Sequence, residues 1–257
     1  MDELRTALER GFHPGYVLPV LAGLLLALLF PAGRAIADPA SRKKYRVLQL
    51  CTLVGALSGA KLAAVVGDHR WPLEPVTLEQ AFFHTGRSIT GGLLFGFLTA
   101  ELLKPLFRYR EPPNDRFATV LPFSIAIGRL GCLFAGCCLG TAWDGPLALA
   151  DTQGILRHPA ALYDLAFHVV LGTAFVMLLR RGLLGGRLRG RLFALHLILY
   201  GAFRFVVENV RDTRDYAASL SAYQLFALAM IACGALSMLR RLPTSGEIHV
   251  QPARQAT

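Results

Sequence analysis

The sequence has few charged residues for its length. Asp, Glu, Lys and Arg make up 17% of its 257 residues, whereas about a quarter of the residues in soluble domains are charged. Apolar side chains account for 54%, above the usual level of about 45–50%. This balance argues against a soluble globular domain and favours a membrane protein.

Long polar linkers, internal repeats and low-complexity tracts are also missing. Seven apolar stretches instead approach the ~20 residues that a membrane-spanning helix needs. They are Tyr16–Ala37, Val47–Val66, Ser88–Phe107, Phe117–Leu139, Ala160–Leu179, Leu192–Val210 and Ala222–Leu239. Because the connections are short, we expect an all-α, polytopic membrane protein. Its single domain of seven transmembrane helices would occupy residues 1–242, with a polar cytoplasmic tail at 243–257.

Acidic residues are scarce: 17 Asp and Glu face 27 Lys and Arg, for a net charge of +10. An excess of cations can indicate nucleic-acid binding, but these cations follow the predicted spans. Three alternate loops and the tail hold 17 of the 27: Arg34, Arg42, Lys43, Lys44, Arg46; Lys104, Arg108, Arg110, Arg116; Arg180, Arg181, Arg187, Arg189, Arg191; and Arg240, Arg241, Arg254. By the positive-inside rule, the N-terminus is outside and the C-terminus cytoplasmic. We therefore expect no nucleic-acid partner.

The sixth predicted span carries ionisable side chains at its far end. Arg204 and Glu208 are four residues apart and can meet on one helix face; Tyr200 and Arg211 lie about one turn to either side. A charge within hydrocarbon costs roughly 2.5–3.5 kcal/mol or more, so such groups face one another or a polar cavity. The sequence predicts either an Arg–Glu pair that joins helices or part of a functional site.

Arg129 lies in the fourth span, in "GRLGCLFAGCCLG" (Gly128–Gly140). Glycines allow the backbones of neighbouring helices to approach closely, so Arg129 could cap a carbonyl group at a tight crossing. Alternatively, its guanidinium could bind a phosphate, whose geometry matches the paired donors.

Two further segments begin spans at the predicted outer side. In "RHPAALYD" (Arg157–Asp164) we expect Pro159 in the first helical turn and His158 at the cap, in one site with Tyr163 and Asp164. In "GRSITGGLLFG" (Gly86–Gly96), Arg87, Thr90, Gly91 and Gly92 could hold an anion on backbone N–H groups or provide small-residue packing. Cations that converge in the outer leaflet favour an anionic lipid headgroup as ligand.

These segments together resemble a known family. The quoted stretches, with "YGAFRFVVENVRDTRD", "SAYQLFALAMIACGAL" and "GYVLPVLAGLLLALL", resemble the bacterial prolipoprotein diacylglyceryl transferases in order and spacing. The resemblance implies a multi-pass protein of the bacterial inner membrane. It also implies transfer of the diacylglyceryl group of phosphatidylglycerol to the cysteine thiol of a preprolipoprotein signal peptide, with release of glycerol phosphate.

The resemblance also implies roles for individual residues. Arg129 and Arg204 would hold the phosphate, Glu208 would orient Arg204, and Tyr16 and Tyr200 would bond the headgroup. The phosphate needs cations because negative charge builds on the leaving group. The acceptor needs a base, since the thiolate is the nucleophile. No metal and no diffusible cofactor is implied.

The chain departs from the family at positions that bear on the acceptor. Thr90 stands where the family usually has a histidine, which is a leading candidate for the base, and His84 lies six residues earlier in a different register. Cys132 and Cys137 replace polar family residues, and the outer loop Thr141–Arg157 is shorter than the family's arm. We therefore expect the donor lipid to be kept, whereas the acceptor could be different.

The five cysteines leave further alternatives open. Cys51 and Cys233 are interpreted as packed apolar residues. The clustered Cys132, Cys137 and Cys138 could carry a lipid or acyl group or form a thiol–disulfide relay, and zinc is disfavoured because their spacing matches no common structural zinc pattern. The alternatives to the transferase are thus a membrane thiol redox enzyme that uses these cysteines and a non-enzymatic lipid-binding or transport protein.

Overall fold

The computed structural model describes residues 14–30, 38–81, 85–109, 115–182, 188 and 190–239. These residues form seven long α-helices: α1 (Pro14–Leu29), α2 (Pro39–His69), α3 (Ile89–Leu106), α4 (Asp115–Phe134), α5 (Ala160–Arg180), α6 (Leu192–Val207) and α7 (Ala222–Leu239). The predicted tail at 243–257 lies outside the described residues. The all-α prediction is confirmed.

Six of these helices, α2 to α7, are long and apolar enough to cross a membrane, and α1 is a shorter apolar helix. Large apolar side chains also remain exposed on the helices; examples are Leu18, Leu102, Val170 and Leu236. Soluble proteins rarely expose apolar surface on this scale. The chain is therefore a polytopic membrane protein.

The largest differences between the helix bounds and the predicted spans are in the first, second and fourth helices. The sequence predicts a first span to Ala37, but α1 ends at Leu29 and residues 31–37 are not described. The second helix is longer than predicted, with 31 residues, because Asp38 caps its start through the N–H groups of Ala40 and Ser41. The fourth ends at Phe134 rather than Leu139, since a turn with Gly136 in the left-handed region follows it.

The main helix contacts are α2 with α3, α6 with α7, α1 with α4, and α4 with α5. Small residues permit the closest crossing: a Cβ atom on Gly91 of α3 would overlap Ala63 and the carbonyl of Gly59 on α2. The largest buried apolar cluster lies where α3, α6 and α7 meet, with Leu93, Leu94, Leu197, Tyr200 and Met230.

One end of the bundle carries two short antiparallel hairpins, and we call it the hairpin end. There α2, α4 and α6 finish and α3, α5 and α7 begin. Strands β1 (Leu149–Ala150) and β2 (Leu156–Arg157) connect α4 to α5, and β3 (Asp215–Ala217) and β4 (Leu220–Ser221) connect α6 to α7. The predicted short loop Thr141–Arg157 is thus an ordered hairpin that covers the site described below.

The opposite end contains a mostly apolar cavity of about 300 Å³. Its lining includes Leu28, Gln49, Glu101, Lys104 and Phe193. None of the arginines predicted for the site lines this cavity, although Gly92, another predicted site residue, does.

Candidate active site

Two arginines from different helices meet at one buried carboxylate. Arg129 of α4 pairs through Nη2 with Oδ2 of Asp164 on α5. Nη1 of Arg204, on α6, lies 3.6 Å from the same oxygen. The Asp164 side chain is fully buried and both arginines are nearly so. The structure therefore brings Arg129 and Arg204 together at a shared counter-ion.

The network continues to the end of α6. Nη2 of Arg204 donates to Oε2 of Glu208 over 2.7 Å, and Nε of Arg211 lies 3.6 Å from the same oxygen. A short 3₁₀ turn, Glu208–Val210, follows α6 and leads to Arg211. Three guanidiniums thus share two carboxylates, which leaves one positive charge without a counter-ion within this network.

Some donors of the network are unused. Nε of Arg204 and Nη1 of Arg211 are buried and have no hydrogen-bond partner within the part of the chain that the structure describes. Buried donors in native proteins are normally satisfied by protein, water or ligand. An excess positive charge together with unused donors suits an anion such as a phosphate diester.

Tyr200 lies next to the arginines on the inner wall of the site. Its hydroxyl donates to Oδ1 of Asp164 over 3.4 Å, and its ring is fully buried. His168 packs against it with ring centroids 4.6 Å apart, and His196 lies 6.2 Å away. The sequence analysis did not select these two histidines, although a histidine inside a predicted span is an available signal.

His158 lies at the mouth of the site and is held from two sides. Its ring stacks on Trp143 with centroids 4.2 Å apart and an interplanar angle of 11°. Its Nδ1 lies 3.1 Å from the hydroxyl of Tyr163, so His158 and Tyr163 are brought together as predicted. The cap is displaced by one residue, because α5 begins at Ala160 and Pro159 occupies the position predicted for His158.

A segment after α4 joins this mouth to the arginine network. The N–H of Gly140 donates to the carbonyl of His158 over 2.8 Å, and the N–H of Thr141 donates to that of Val210 over 2.9 Å. A Cβ atom on Gly140 would lie 2.1 Å from the Val210 oxygen, so only glycine fits. Arg157 stabilises the hairpin through Asp151, with Nε to Oδ2 at 2.7 Å.

That ion pair lies in the connection outside the helices. The hydrogen bond from Arg157, together with those from the N–H groups of Gln153 and Ile155, lowers the pKa of Asp151 below its ordinary 3.8. Asp151 is thus a carboxylate at neutral pH and keeps the hairpin closed.

The start of α3 supports small-residue packing rather than anion binding on its backbone N–H groups. Ser88 accepts hydrogen bonds from the N–H groups of Gly91, through its side chain at 3.3 Å, and of Gly92, through its carbonyl at 3.0 Å. Those N–H groups are therefore used within the helix, and Gly91 serves the crossing with α2. Thr90 is buried, and its hydroxyl has no hydrogen-bond partner among the described residues. His84 lies outside them.

Tyr16 and Arg87 lie at the periphery. Arg87 is exposed and Tyr16 is half-buried. The backbone of Tyr16 packs against Gly131, directly before Cys132, and Arg87, Cys137 and Cys138 lie within electrostatic range of its hydroxyl. These residues therefore face one region next to the buried network.

The three cysteines after the arginine of α4 are close together in space. Their Sγ atoms all lie within 4.8 Å of one another, and all three are free thiols. Nη1 of Arg129 lies 3.7 Å from Sγ of Cys132 and 3.9 Å from Sγ of Cys138. The cluster thus borders the arginine network.

Comparison with known proteins identifies the family of this chain. A family model described as prolipoprotein diacylglyceryl transferase matches residues 14–240. The chain belongs to the prolipoprotein diacylglyceryl transferase family. The resemblance identified from the quoted segments is thereby confirmed.

Curated bacterial relatives named phosphatidylglycerol–prolipoprotein diacylglyceryl transferase match the chain as well. One from Bordetella parapertussis is 33% identical over 162 residues, which is 58% of this chain and 59% of that protein. The match thus spans less than two thirds of this relative. One from Clostridium tetani is 25% identical over 86% of this chain and 90% of its own length. One from Vibrio atlanticus is 29% identical over 87% of this chain and 85% of its own length.

The sequence analysis placed Asp164 in a site with His158 and Tyr163 but missed its role as the shared counter-ion of Arg129 and Arg204. The motif "RHPAALYD" ends on it, and a carboxylate inside a predicted span was the available signal. Trp143 was missed as well, since its role depends on where the hairpin folds.

Proposed function

We propose that this chain is a phosphatidylglycerol-dependent diacylglyceryl transferase of the bacterial inner membrane. It spans the membrane seven times, with its N-terminus outside and its C-terminus in the cytoplasm. The positive-inside rule supports this orientation, because the described cations Arg42, Lys44, Lys104 and Arg180 lie near the helix ends opposite the hairpin end. The candidate site then faces the outer leaflet, where signal peptides of preprolipoproteins arrive.

The convergence of Arg129 and Arg204 on Asp164 carries the proposal. A phosphatidylglycerol headgroup brings one negative charge, and the network has one positive charge in excess. The unused donors of Arg204 and Arg211 can bind phosphate oxygens. In a site of low dielectric such contacts are much stronger than in water, and they strengthen further as charge accumulates on the leaving phosphate.

The reaction then has the following course. The acceptor thiolate attacks the glyceryl carbon that is bonded to the phosphate oxygen. A C–S bond forms, the C–O bond breaks, and glycerol phosphate leaves with the electron pair. Asp164 and Glu208 hold the guanidiniums in place, and Tyr200 and Tyr16 bond the headgroup. Arg87 and Arg211 bind anionic groups near the mouth.

A group other than residue 90 must take the proton from the acceptor thiol. Thr90 is a buried hydroxyl and cannot act as a base near neutral pH. His158 is half-buried at the mouth and is oriented by Trp143 and Tyr163, which suits a proton acceptor. The cysteine cluster offers a second route.

The names of the relatives favour the transferase over a thiol redox enzyme and over a non-enzymatic lipid carrier. A release assay tests the choice. Purified protein is incubated with headgroup-labelled phosphatidylglycerol and a lipobox peptide that contains cysteine. We expect labelled glycerol phosphate to appear only with the peptide and to disappear in Arg204→Gln. The matched control is Arg180→Gln, an exposed arginine at the opposite end. Lipid binding without release would contradict the proposal.

A further inference from the structure

The backbone after α4 is arranged so that three cysteines meet. Cys132 lies in the last turn of α4, and Cys137 and Cys138 follow the turn that ends it. Gly136 and Cys138 both have left-handed backbone conformations, with φ of 58° and 61°. Residues other than glycine adopt this conformation rarely, and such strain concentrates at functional sites. The strained turn folds Cys137 and Cys138 back towards Cys132.

The sulfur separations suit one shared metal ion. Sγ of Cys137 and Sγ of Cys138 lie 3.7 Å apart. This is far beyond the length of a disulfide bond, about 2.0 Å. Two thiolates on one tetrahedral zinc, with Zn–S bonds of about 2.3 Å, have sulfurs about 3.8 Å apart. The third sulfur is within 4.8 Å of both, so small side-chain rotations complete the set.

The residues around the cluster fit the charge and coordination of zinc. Three thiolates with one Zn²⁺ have a net charge of −1. Nη1 of Arg129 lies next to two of the sulfurs and offsets part of this charge, while Asp164 remains the counter-ion of Arg129. Soft thiolate ligands select zinc over hard cations such as Mg²⁺. Three protein ligands are typical of catalytic zinc, which keeps its fourth position open for substrate.

We propose that Cys132, Cys137 and Cys138 bind a zinc ion and that the acceptor thiol occupies its fourth position. The metal site stands on the geometry alone, whereas the acceptor role rests on the proposed function. This proposal reverses the sequence-based prediction, which disfavoured zinc. The spacing of these cysteines in the sequence matches no common structural zinc pattern, but the left-handed turn brings them together in space.

The chemistry balances without a redox step. The acceptor thiol binds zinc and releases its proton to solvent, since a coordinated thiol is deprotonated. The bound thiolate attacks the glyceryl carbon held by the arginine network, and the electron pair of the broken C–O bond leaves on the phosphate. The product thioether is neutral and leaves the metal. Zinc thereby generates the acceptor thiolate, which is the role expected of the histidine that the family usually has at position 90.

Metal analysis of the reduced, purified chain tests the site directly. We expect about one zinc per chain, lost in Cys132→Ser, Cys137→Ser and Cys138→Ser. The matched controls are Cys51→Ser and Cys233→Ser, which lie away from the cluster and should keep the metal. Cobalt titration of the unmodified chain does not depend on the variants folding, and it should produce the intense absorption of thiolate-to-cobalt charge transfer. A chain that binds neither metal, or a native disulfide within the cluster, would overturn the site.

The acceptor role has its own readout. A lipobox peptide with cysteine should change the cobalt spectrum, and the same peptide with serine in that position should not. An unchanged spectrum would overturn the acceptor step. The two proposals also fail separately. Zinc and peptide binding without glycerol phosphate release would refute the transferase but uphold the metal site. Release that survives chelation and the loss of all three cysteines would refute the acceptor role of zinc but not the transferase.

Discussion

Arg204 donates from Nη2 to Oε2 of Glu208 over 2.7 Å, although the two side chains are only 5% and 1% exposed. Both charges therefore depend on their partners rather than on water. Glu208 cannot neutralise the whole network, because Arg211 lies near the same oxygen and Arg129 needs Asp164. This arrangement holds the guanidiniums in position for an additional anion.

Substitution of Arg204 should affect turnover more than lipid binding. Arg204→Gln removes a donor to the phosphate where charge develops, and loss of one such donor typically lowers kcat by about 100- to 1000-fold. Arg204→Lys should recover only a small part, because an ammonium cannot contact Glu208 and a phosphate through a planar fork. Steady-state release of glycerol phosphate measures both variants. A KM increase with unchanged kcat would contradict this role.

Substitution of Asp164 should damage the fold as well as the activity. Asp164→Asn keeps the shape of the side chain but leaves Arg129 and Arg204 without their shared charge. Removal of one partner from a buried ion pair costs about 3–5 kcal/mol, so the melting temperature in detergent should fall markedly. Asp212→Asn is the control, since Asp212 is largely exposed and lies 3.6 Å from Arg157. Equal melting temperatures for the two variants would show that Asp164 is not central to packing.

Glu208 and Asp164 show which parts of the site the sequence could predict and which it could not. The spacing of Arg204 and Glu208 predicts a contact because both lie on one helix, and the structure has it. The carboxylate between Arg129 and Arg204 depends on how α4, α5 and α6 pack, which local spacing does not determine. Likewise, the apolar run to Leu139 predicts a longer α4, but the left-handed turn at Gly136 ends the helix early and creates the cysteine cluster.

Substitution of Gly140 should separate the mouth of the site from the arginine network. In Gly140→Ala the new Cβ atom would collide with the carbonyl of Val210, which is backbone and cannot rotate away. We expect a shift of the segment that joins His158 to Arg211, with a loss of transferase activity of at least about tenfold, the equivalent of roughly 1.4 kcal/mol in the barrier. Gly86→Ala is the control, because nothing lies within 4 Å of its added Cβ.

The hairpin over the site should be sensitive to acid through Asp151. Its pKa is lowered below 3.8 by Arg157 and by two N–H groups. A carboxyl whose pKa is lower in the folded state stabilises the fold above its unfolded pKa, and that contribution is lost as the pH falls through the folded pKa. Asp151→Asn should thus melt below the unmodified chain at pH 7, and the gap should close below about pH 4. A gap that is constant with pH would contradict the assignment.

Trp143 should control the orientation of His158. The two rings stack at 4.2 Å, and Tyr163 bonds Nδ1 of the imidazole from another side. Trp143→Ala leaves the imidazole free to rotate about its remaining hydrogen bond, so we expect kcat to fall several-fold with little change in the KM for phosphatidylglycerol. Trp143→Phe keeps an aromatic face and should recover most of the rate. If both variants lose the same activity, the indole acts through the shape of the hairpin and not through the stacked ring. If neither loses activity, His158 does not take part in the reaction in the stacked orientation.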